Sequence, residues 1–367
     1  MIYIRADGNT AIGMGHVMRC LAVAEAIAEL DGPPPVFLTA DESCRGMIED
    51  RGFEALVLGT DYREMMSELP QLERLLDSTA DIVLVDSYQA NNEYYLKLRE
   101  LVRVACFEDL GEAYPVDLLI NYNIYAPELE HRYRAAHGHP HKALPVEADS
   151  YPHKVLLGTA YMPLRRAFQR PSGYQIRERV TDLLITTGGS DPHFAAGAIT
   201  DALLDDRMIR EQGLHLHLVS GPFNQFVHVL KSRYDCYRSK DSAVQITIHE
   251  HVKDLRSLLL GSDIVISATG STIYEVSSLG VPMIVFYFAE NQRQGAEALK
   301  KRTDIVNAGC FAKNSGAVIE QIREAVKRCI GDFAYREQLN QQETRLVDGR
   351  GAQRIARQLK ALMEHCE

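Results

Sequence analysis

Apolar and polar positions along this chain follow two alternating periods. Short, mostly apolar runs occur at 2–4, 36–38, 55–58, 82–85, 102–107 and 118–120. They have the length and branched-chain content of strands buried on both faces. Amphipathic stretches lie between them, as at 61–76 and 91–101, and Val17, Leu21, Ala24 and Ile27 recur at helical spacing. Strand then helix, repeated, predicts right-handed crossovers and a mostly parallel sheet covered on both faces. The rhythm breaks over residues 123–175 and then restarts. Strands are predicted at 183–186, 214–219, 244–248, 263–267 and 283–288. Helices are predicted from His193 and over 252–260, 273–279, 291–302, 316–330 and 352–364. The expected fold class is α/β, with two Rossmann-like domains facing across a cleft. Residues 1–168 form the first domain, 169–178 a polar linker, and 179–367 the second.

Composition narrows the partners. Hydrophobic residues make up 46% and charged residues 25%, as in ordinary globular proteins. A formal net charge of −10 argues against nucleic acid or an anionic membrane as the main partner, while leaving room for a small anionic ligand. The 7 cysteines are scattered without a C-x-x-C pair, so neither a disulfide framework nor a zinc site is expected. The chain opens directly on a strand, so no signal peptide is expected, and no apolar run approaches the ~20 residues of a membrane span. A cytoplasmic protein without stable membrane insertion is expected. Its oligomeric state is left open. His137, His139 and His141 alternate, but Gly138 and Pro140 between them read as an exposed turn, so no metal is assigned there.

The chemistry concentrates at strand ends. After the first strand comes a small-residue loop with Gly8, Gly13 and Gly15, and His16 stands where that loop becomes a helix. A helix start offers free backbone N–H groups and the positive end of the dipole, and a histidine exchanges a proton near neutral pH. The spacing does not fit the dinucleotide motif G-x-G-x-x-G. Ligands of parallel sheets bind outside the carboxyl ends of strands, which selects Asp7, Asp86, Asp109 and Asn121, with Arg5 beside them. In the second half, Gly188, Gly189 and Ser190 end one strand, and Gly270, Ser271 and Thr272 end another. Two such loops can bind a diphosphate through N–H groups and hydroxyls, or they are two ordinary tight turns. Glu275, one helical turn later, can accept from both hydroxyls of a ribose or simply complement the helix dipole. Asn291 and Gln292 follow an apolar strand and offer neutral hydrogen bonds to a sugar or a water. No Walker lysine and no Gly-x-Ser-x-Gly elbow occurs.

The ordered set Gly13-Met-Gly-His-Val-Met-Arg19, Tyr161-Met-Pro-Leu-Arg165, Gly188-Gly-Ser-Asp-Pro192, Ala268-Thr-Gly-Ser-Thr-Ile-Tyr-Glu275, Leu279-Gly-Val-Pro282, Ala289-Glu-Asn-Gln292 and Asp348-Gly-Arg-Gly-Ala352 covers nearly the whole chain. It resembles the UDP-sugar hydrolase family of pseudaminic-acid biosynthesis and the related spore-coat polysaccharide biosynthesis protein G family. More distantly, the second half is similar to the lipid II-forming N-acetylglucosaminyltransferase. The resemblance implies a GT-B fold and hydrolysis of a UDP-linked sugar, of the 2,4-diacetamido-2,4,6-trideoxy type, at the anomeric C–O bond. UDP and free sugar are released for nonulosonic-acid or surface polysaccharide synthesis. It makes His16 the group that activates water, with Asn291 as a second catalytic candidate. Gly13, Gly15, Arg19, Gly188, Gly189, Ser190, Gly270, Ser271, Thr272, Glu275 and Gln292 become contacts to the substrate and its UDP. Asp7, Asp86 and Tyr161 become sugar-side candidates. It implies no cofactor and no metal.

Two rivals share the pattern. A glycosyltransferase on the same scaffold would pass the sugar to an acceptor, and fold alone does not separate it from a hydrolase. A nucleotide-sugar-binding or assembly protein with a degenerate site would not turn substrate over.

Overall fold

The computed structural model describes every residue except 10, 77–80, 136–153, 170–172, 236–243 and 365–367, and only the backbone of 135, 291 and 364. His137, His139, His141 and His153 lie outside the described residues, as do Cys236, Cys366 and part of the expected linker. Cys20, Cys44, Cys106, Cys310 and Cys329 are free thiols.

Two compact units divide the chain. Residues Met1–Arg166 with Gly349–Glu367 form the first, and Ala167–Asp348 the second. The first holds a sheet of β1 (Ile2–Ala6), β2 (Val36–Thr39), β3 (Ala55–Val57), β4 (Ile82–Asp86), β5 (Arg103–Phe107), β6 (Leu118–Asn121) and β7 (Lys154–Leu157). Its order is β3-β2-β1-β4-β5-β6-β7, and adjacent strands pair in parallel. Every residue of β1, β2 and β4 is buried, which is why these strands read as unbroken apolar runs. Successive residues feed opposite faces. Ile82 and Leu84 join one core, and Val83 and Val85 the other. The second unit holds β8 (Asp182–Thr186), β9 (His215–Val219), β10 (Gln245–His249), β11 (Ile264–Ala268), β12 (Met283–Tyr287) and β13 (Val306–Cys310), in the parallel order β10-β9-β8-β11-β12-β13.

Each sheet reverses direction once. The chain runs β1 to β3 one way and then adds β4 on the other side of β1. Likewise β8 to β10 run one way and β11 joins β8 from the other side. The switch points, where crossovers leave on opposite faces, therefore lie between β1 and β4 and between β8 and β11.

The structure corrects the expected extent of the second domain. The last helix, Gly351–Glu364, belongs to the first unit. It buries Ala352, Ile355, Ala356 and Leu359 in the same core as Val17, Cys20, Leu21 and Ala24 of the Gly15–Ala28 helix. Arg354 Nη1 donates to Ala160 O (2.8 Å) and Lys360 Nζ to Asp31 O (2.7 Å). Burial of each Ile or Leu stabilises by roughly 1.5–3 kcal/mol. The pattern predicts the helix and its apolar stripe, but not which sheet covers the stripe. The close approach at its start explains two sequence motifs together. A Cβ on Gly351 would stand 2.1 Å from Met162 O, so Asp348-Gly-Arg-Gly-Ala352 must meet Tyr161-Met-Pro-Leu-Arg165 with glycine at the contact.

Several elements escaped the pattern, β13 and the Phe333–Leu346 helix among them. β13 carries Asn307 and Gly309 and shifts register against β12, so it shows no apolar run. The Phe333–Leu346 helix is polar and buries only Tyr335, Arg336, Leu339 and Glu343. The expected 61–76 helix begins as a 3₁₀ turn at Met65–Glu68. It becomes α-helical over Leu69–Leu75, with Pro70 in the first turn, where no N–H is needed.

Glu343 is fully buried and accepts from Met283 N (3.1 Å), and burial holds its carboxyl well above the usual range. From about pH 4.5 upward the unfolded chain releases this proton while the folded one retains it, so stability falls as pH rises. Glu343→Gln is therefore expected to unfold at a higher temperature than the parent at pH 7, by about 2–4 °C per kcal/mol recovered. The gap should close as pH falls toward 4.5. A gap independent of pH in calorimetry would contradict the assignment.

Candidate active site

The loop after β1 is drawn tight by its own polar groups. Asn9 Oδ1 accepts from Ala11 N (2.9 Å) and Ile12 N (3.1 Å), and Gly13 N donates to Asn9 O (2.8 Å). Gly13 closes the turn at φ +76°, a conformation that favours glycine. The Gly15–Ala28 helix starts with no side-chain cap, so its first amides are not claimed by a side chain.

His16 and Arg19 stand one turn apart on this helix and share Asp86, the last residue of β4. His16 Nδ1 lies 2.6 Å from Asp86 Oδ1, and Arg19 Nε donates to Asp86 Oδ2 at 2.5 Å. Asp86 is 1% exposed. Burial works against its charge, but the Arg19 guanidinium and hydrogen bonds from Arg19 and His16 outweigh burial and hold the carboxyl well below its usual range. An ionised carboxylate only accepts, so Nδ1 must carry the proton. Arg19 Nη2, 3.2 Å from Nδ1, is then a second donor converging on the same carboxylate, not a donor to the ring. The lone pair of His16 is left on Nε2.

Neighbouring strand ends complete the cluster. Arg19 Nη1 donates to Tyr122 OH (2.6 Å) after β6 and to Asp109 Oδ2 (3.2 Å) after β5. Tyr88, exposed two residues after β4, donates to Asp109 Oδ2 (3.0 Å) and sets its ring edge-on to His16 at 4.8 Å between centroids. Asp109 Oδ1 is buried with no hydrogen-bond partner. Burial and Asp109 push the Tyr88 hydroxyl well above its usual range, so it remains a donor. Sequence reasoning flagged Asp86 and Asp109 by the strand-end rule but missed Tyr88 and Tyr122. The same rule, extended two residues past each strand, would have found them.

Other expected sugar-side residues are engaged elsewhere. Asp7 accepts from Arg5 Nη1 (2.6 Å) and Ala40 N (2.7 Å). Arg5 in turn pairs with Glu68, which also accepts from Tyr94 OH (2.6 Å), a wholly buried network. Tyr161 packs against the core that holds the last helix. Asn121 closes its strand end on Tyr133 OH (2.9 Å).

In the second unit the predicted loops follow β8, β11 and β12, three adjacent strands. The first two flank the switch point. They are not equivalent. After β8, Gly188 turns at φ +80°, and a Cβ on Gly221 would stand 2.1 Å from Gly188 O, so two loops interlock there. Ser190 is exposed. Asp191, 1% exposed, accepts from Ala195 N (2.8 Å) and Ala196 N (2.9 Å), so its carboxylate already fills the start of the Ala195–Asp205 helix. After β11, the Thr272–Leu279 helix starts without a side-chain cap. Gly270 and Ser271 are exposed and Thr272 and Glu275 half-buried on its first turn. Thr269 ties this loop to β12 by donating Oγ1 to Phe286 O (2.7 Å). Past β12, Gln292 Oε1 accepts from Phe288 N (2.9 Å), capping the Glu290–Arg302 helix that also carries Asn291. Of these two helix starts, the one after β11 is left without a side-chain cap, while Asp191 occupies the one after β8.

No family model matches the chain. A Methanocaldococcus jannaschii protein of uncharacterized function is 25% identical over 302 residues, 80% of this chain and 57% of that one. The spore coat polysaccharide biosynthesis protein SpsG of Bacillus subtilis is 22% identical over 370 residues, 98% of each chain. The UDP-2,4-diacetamido-2,4,6-trideoxy-beta-L-altropyranose hydrolase of Campylobacter jejuni is 23% identical over 192 residues, 52% of this chain and 61% of that one. The match thus spans less than two thirds of the length of two of these relatives. Among solved structures, Acinetobacter baumannii MurG aligns with a TM-score of 0.64 at 13% identity, covering 98% of this chain and 99% of that one. Staphylococcus aureus MnaA, solved with UDP, aligns at 0.60 and 14%, covering 99% and 97%. These likenesses establish the fold as GT-B. No described helix is long and apolar enough to cross a membrane.

Arg19→Leu is expected to cost about 3–5 kcal/mol at neutral pH, because it strands the buried Asp86 charge. Asp86 titrates low in the folded parent, so the parent holds this advantage at neutral pH and loses it as pH falls through that depressed value. In the variant Asp86 takes up a proton sooner, so the gap narrows on acidification. Urea titrations across pH 3–7 check this, and equal midpoints at pH 7 would remove Arg19 from the account.

Proposed function

We propose that this protein is an enzyme acting on nucleotide sugars, and that it hydrolyses a UDP-linked sugar to UDP and free sugar. The observation that carries the proposal is the His16–Asp86 pair, which leaves Nε2 as a proton acceptor. The name of the Campylobacter relative supports the substrate class, a UDP-linked 2,4-diacetamido-2,4,6-trideoxy sugar, and that of the Bacillus relative a use in spore coat polysaccharide biosynthesis.

In this reading the second unit grips UDP. The open start of the Thr272–Leu279 helix, with Gly270, Ser271 and Thr272, receives the diphosphate, and Gly188, Gly189 and Ser190 close over it. Glu275 takes the ribose hydroxyls. Asn291 and Gln292 orient the sugar. Water attacks the anomeric carbon while the bond from that carbon to the β-phosphate oxygen breaks. The bonding pair leaves with UDP, and the backbone amides stabilise its growing charge. The proton of the water passes to His16 Nε2. Asp86 holds the imidazolium that forms, and Arg19 keeps Asp86 ionised and in place. General base catalysis of this kind contributes about 10²–10⁴-fold. The exposed Tyr88 hydroxyl, which donates to Asp109, offers the sugar an acceptor beside His16.

Transfer to an acceptor is the rival on the same fold, because fold alone does not separate the two reactions. The test is a panel of UDP-sugars incubated with purified protein, with UDP and free sugar measured separately. Hydrolysis predicts both products from water alone. Release that requires an added acceptor would replace hydrolysis with transfer, and binding without release would remove catalysis altogether. His16→Ala is expected to retain UDP affinity and lose about 10²-fold or more in kcat. Unchanged kcat in that variant would sink the role of His16.

A further inference from the structure

A second cluster of titratable groups lies on the β8–β9–β10 side of the second sheet and takes no part in the proposed reaction. Asp182 and His215 open β8 and β9 and are cross-strand partners. His217 follows two residues on, so its side chain shares their face. Thr247 of β10 is its partner across the next ladder. Parallel strands place Asp182 and His215 at the end of the sheet opposite the glycine loops, which follow the carboxyl ends.

The donor atoms converge. Asp182 Oδ1 lies 3.1 Å from His217 Nε2 and 3.8 Å from His215 Nδ1. One ligand atom from each of the three residues falls within 4.8 Å of the others. A tetrahedral ion with bonds of about 2.0–2.2 Å sets its donors roughly 3.3 Å apart, within the span of the first two distances. Each donor is also oriented from behind. Asp182 Oδ2 accepts from Thr181 Oγ1 (2.7 Å) and lies 3.3 Å from Arg177 Nη1, which turns Oδ1 toward the histidines. His215 Nε2 lies 2.8 Å from Thr247 Oγ1, and His217 Nδ1 lies 3.0 Å from His249 Nε2. When these two outer nitrogens carry the protons, both inner nitrogens present lone pairs beside Asp182 Oδ1. This outer shell of hydrogen bonds is the arrangement that metal-ligating histidines use. The three side chains are half-buried on paired strands, which fixes their spacing.

We propose that Asp182, His215 and His217 bind a borderline divalent transition-metal ion of the Zn²⁺ class, in a site distinct from the nucleotide loops. Two imidazoles and one carboxylate suit such an ion better than Mg²⁺ or Ca²⁺. Among the described residues this is the one converging group of three such donors.

The test uses the full chain stripped with chelator and titrated with Co²⁺ as the spectroscopic probe, followed by displacement with Zn²⁺. The expected result is one Co²⁺ per chain with the strong visible absorption of a tetrahedral centre, lost on adding Zn²⁺. His217→Ala and the shape-conserving Asp182→Asn should each weaken Co²⁺ binding at least about 10-fold, while His131→Ala, an exposed histidine of the first unit, leaves it unchanged. Circular dichroism checks that the variants are folded, and either folded variant suffices. Binding that survives both substitutions, or a parent that shows no tetrahedral band, would overturn the proposal.

Discussion

The charge on Asp86 is the constraint that organises the first unit. A carboxylate that is 1% exposed is stable only if its surroundings compensate for the lost water. Arg19 compensates with two hydrogen bonds, and His16 with a third. The consequence for chemistry is a fixed tautomer. Because Asp86 accepts and cannot donate, the proton of the imidazole sits on Nδ1 and the basic pair on Nε2. Arg19 reaches further, to Asp109 and Tyr122, so the ends of β4, β5 and β6 are cross-linked through one guanidinium. The planar fork of arginine permits this, and lysine could not reproduce it.

Topology explains why the cluster stands where it does. The helix bearing His16 leaves from β1, and Asp86 ends β4, its neighbour across the switch point. The second unit repeats the device with β8 and β11. There the two glycine loops differ in electrostatics, since Asp191 fills one helix start while the other carries no side-chain cap. A negative side chain and a phosphate do not share one helix start cheaply. Under the proposed function, that asymmetry favours Gly270–Thr272 for the anion more sharply than the glycine content of the loops does.

Much of this was legible in the amino-acid sequence. Fully buried parallel strands produce unbroken apolar runs, and residues 2–4, 36–38 and 82–85 all lie within strands. The carboxyl-end rule alone selects Asp86 and Asp109. What the pattern could not carry was pairing between distant segments. The apolar stripe of the Gly351–Glu364 helix says only that something covers it, so its return to the first unit was invisible. Asp7 follows the end of β1 and Asp86 ends β4, where its partner is Ala6; one is engaged by Arg5 and Ala40 and the other by His16 and Arg19. β13 was missed because Asn307 and Gly309 interrupt it, and the Asp182–His215–His217 cluster was missed because Asp182, on a different strand, joins the histidine pair only through sheet pairing.

The central claim is that Asp86 dictates which ring nitrogen of His16 bears the proton. Nitrogen-15 NMR of the histidine-labelled protein, with His16 assigned by its Asn variant and read where the ring is neutral, measures this directly. The account predicts a protonated Nδ1 and an unprotonated Nε2. A ring protonated at Nε2 instead would contradict it, because that ring could neither donate to Asp86 nor take a proton from water at Nε2.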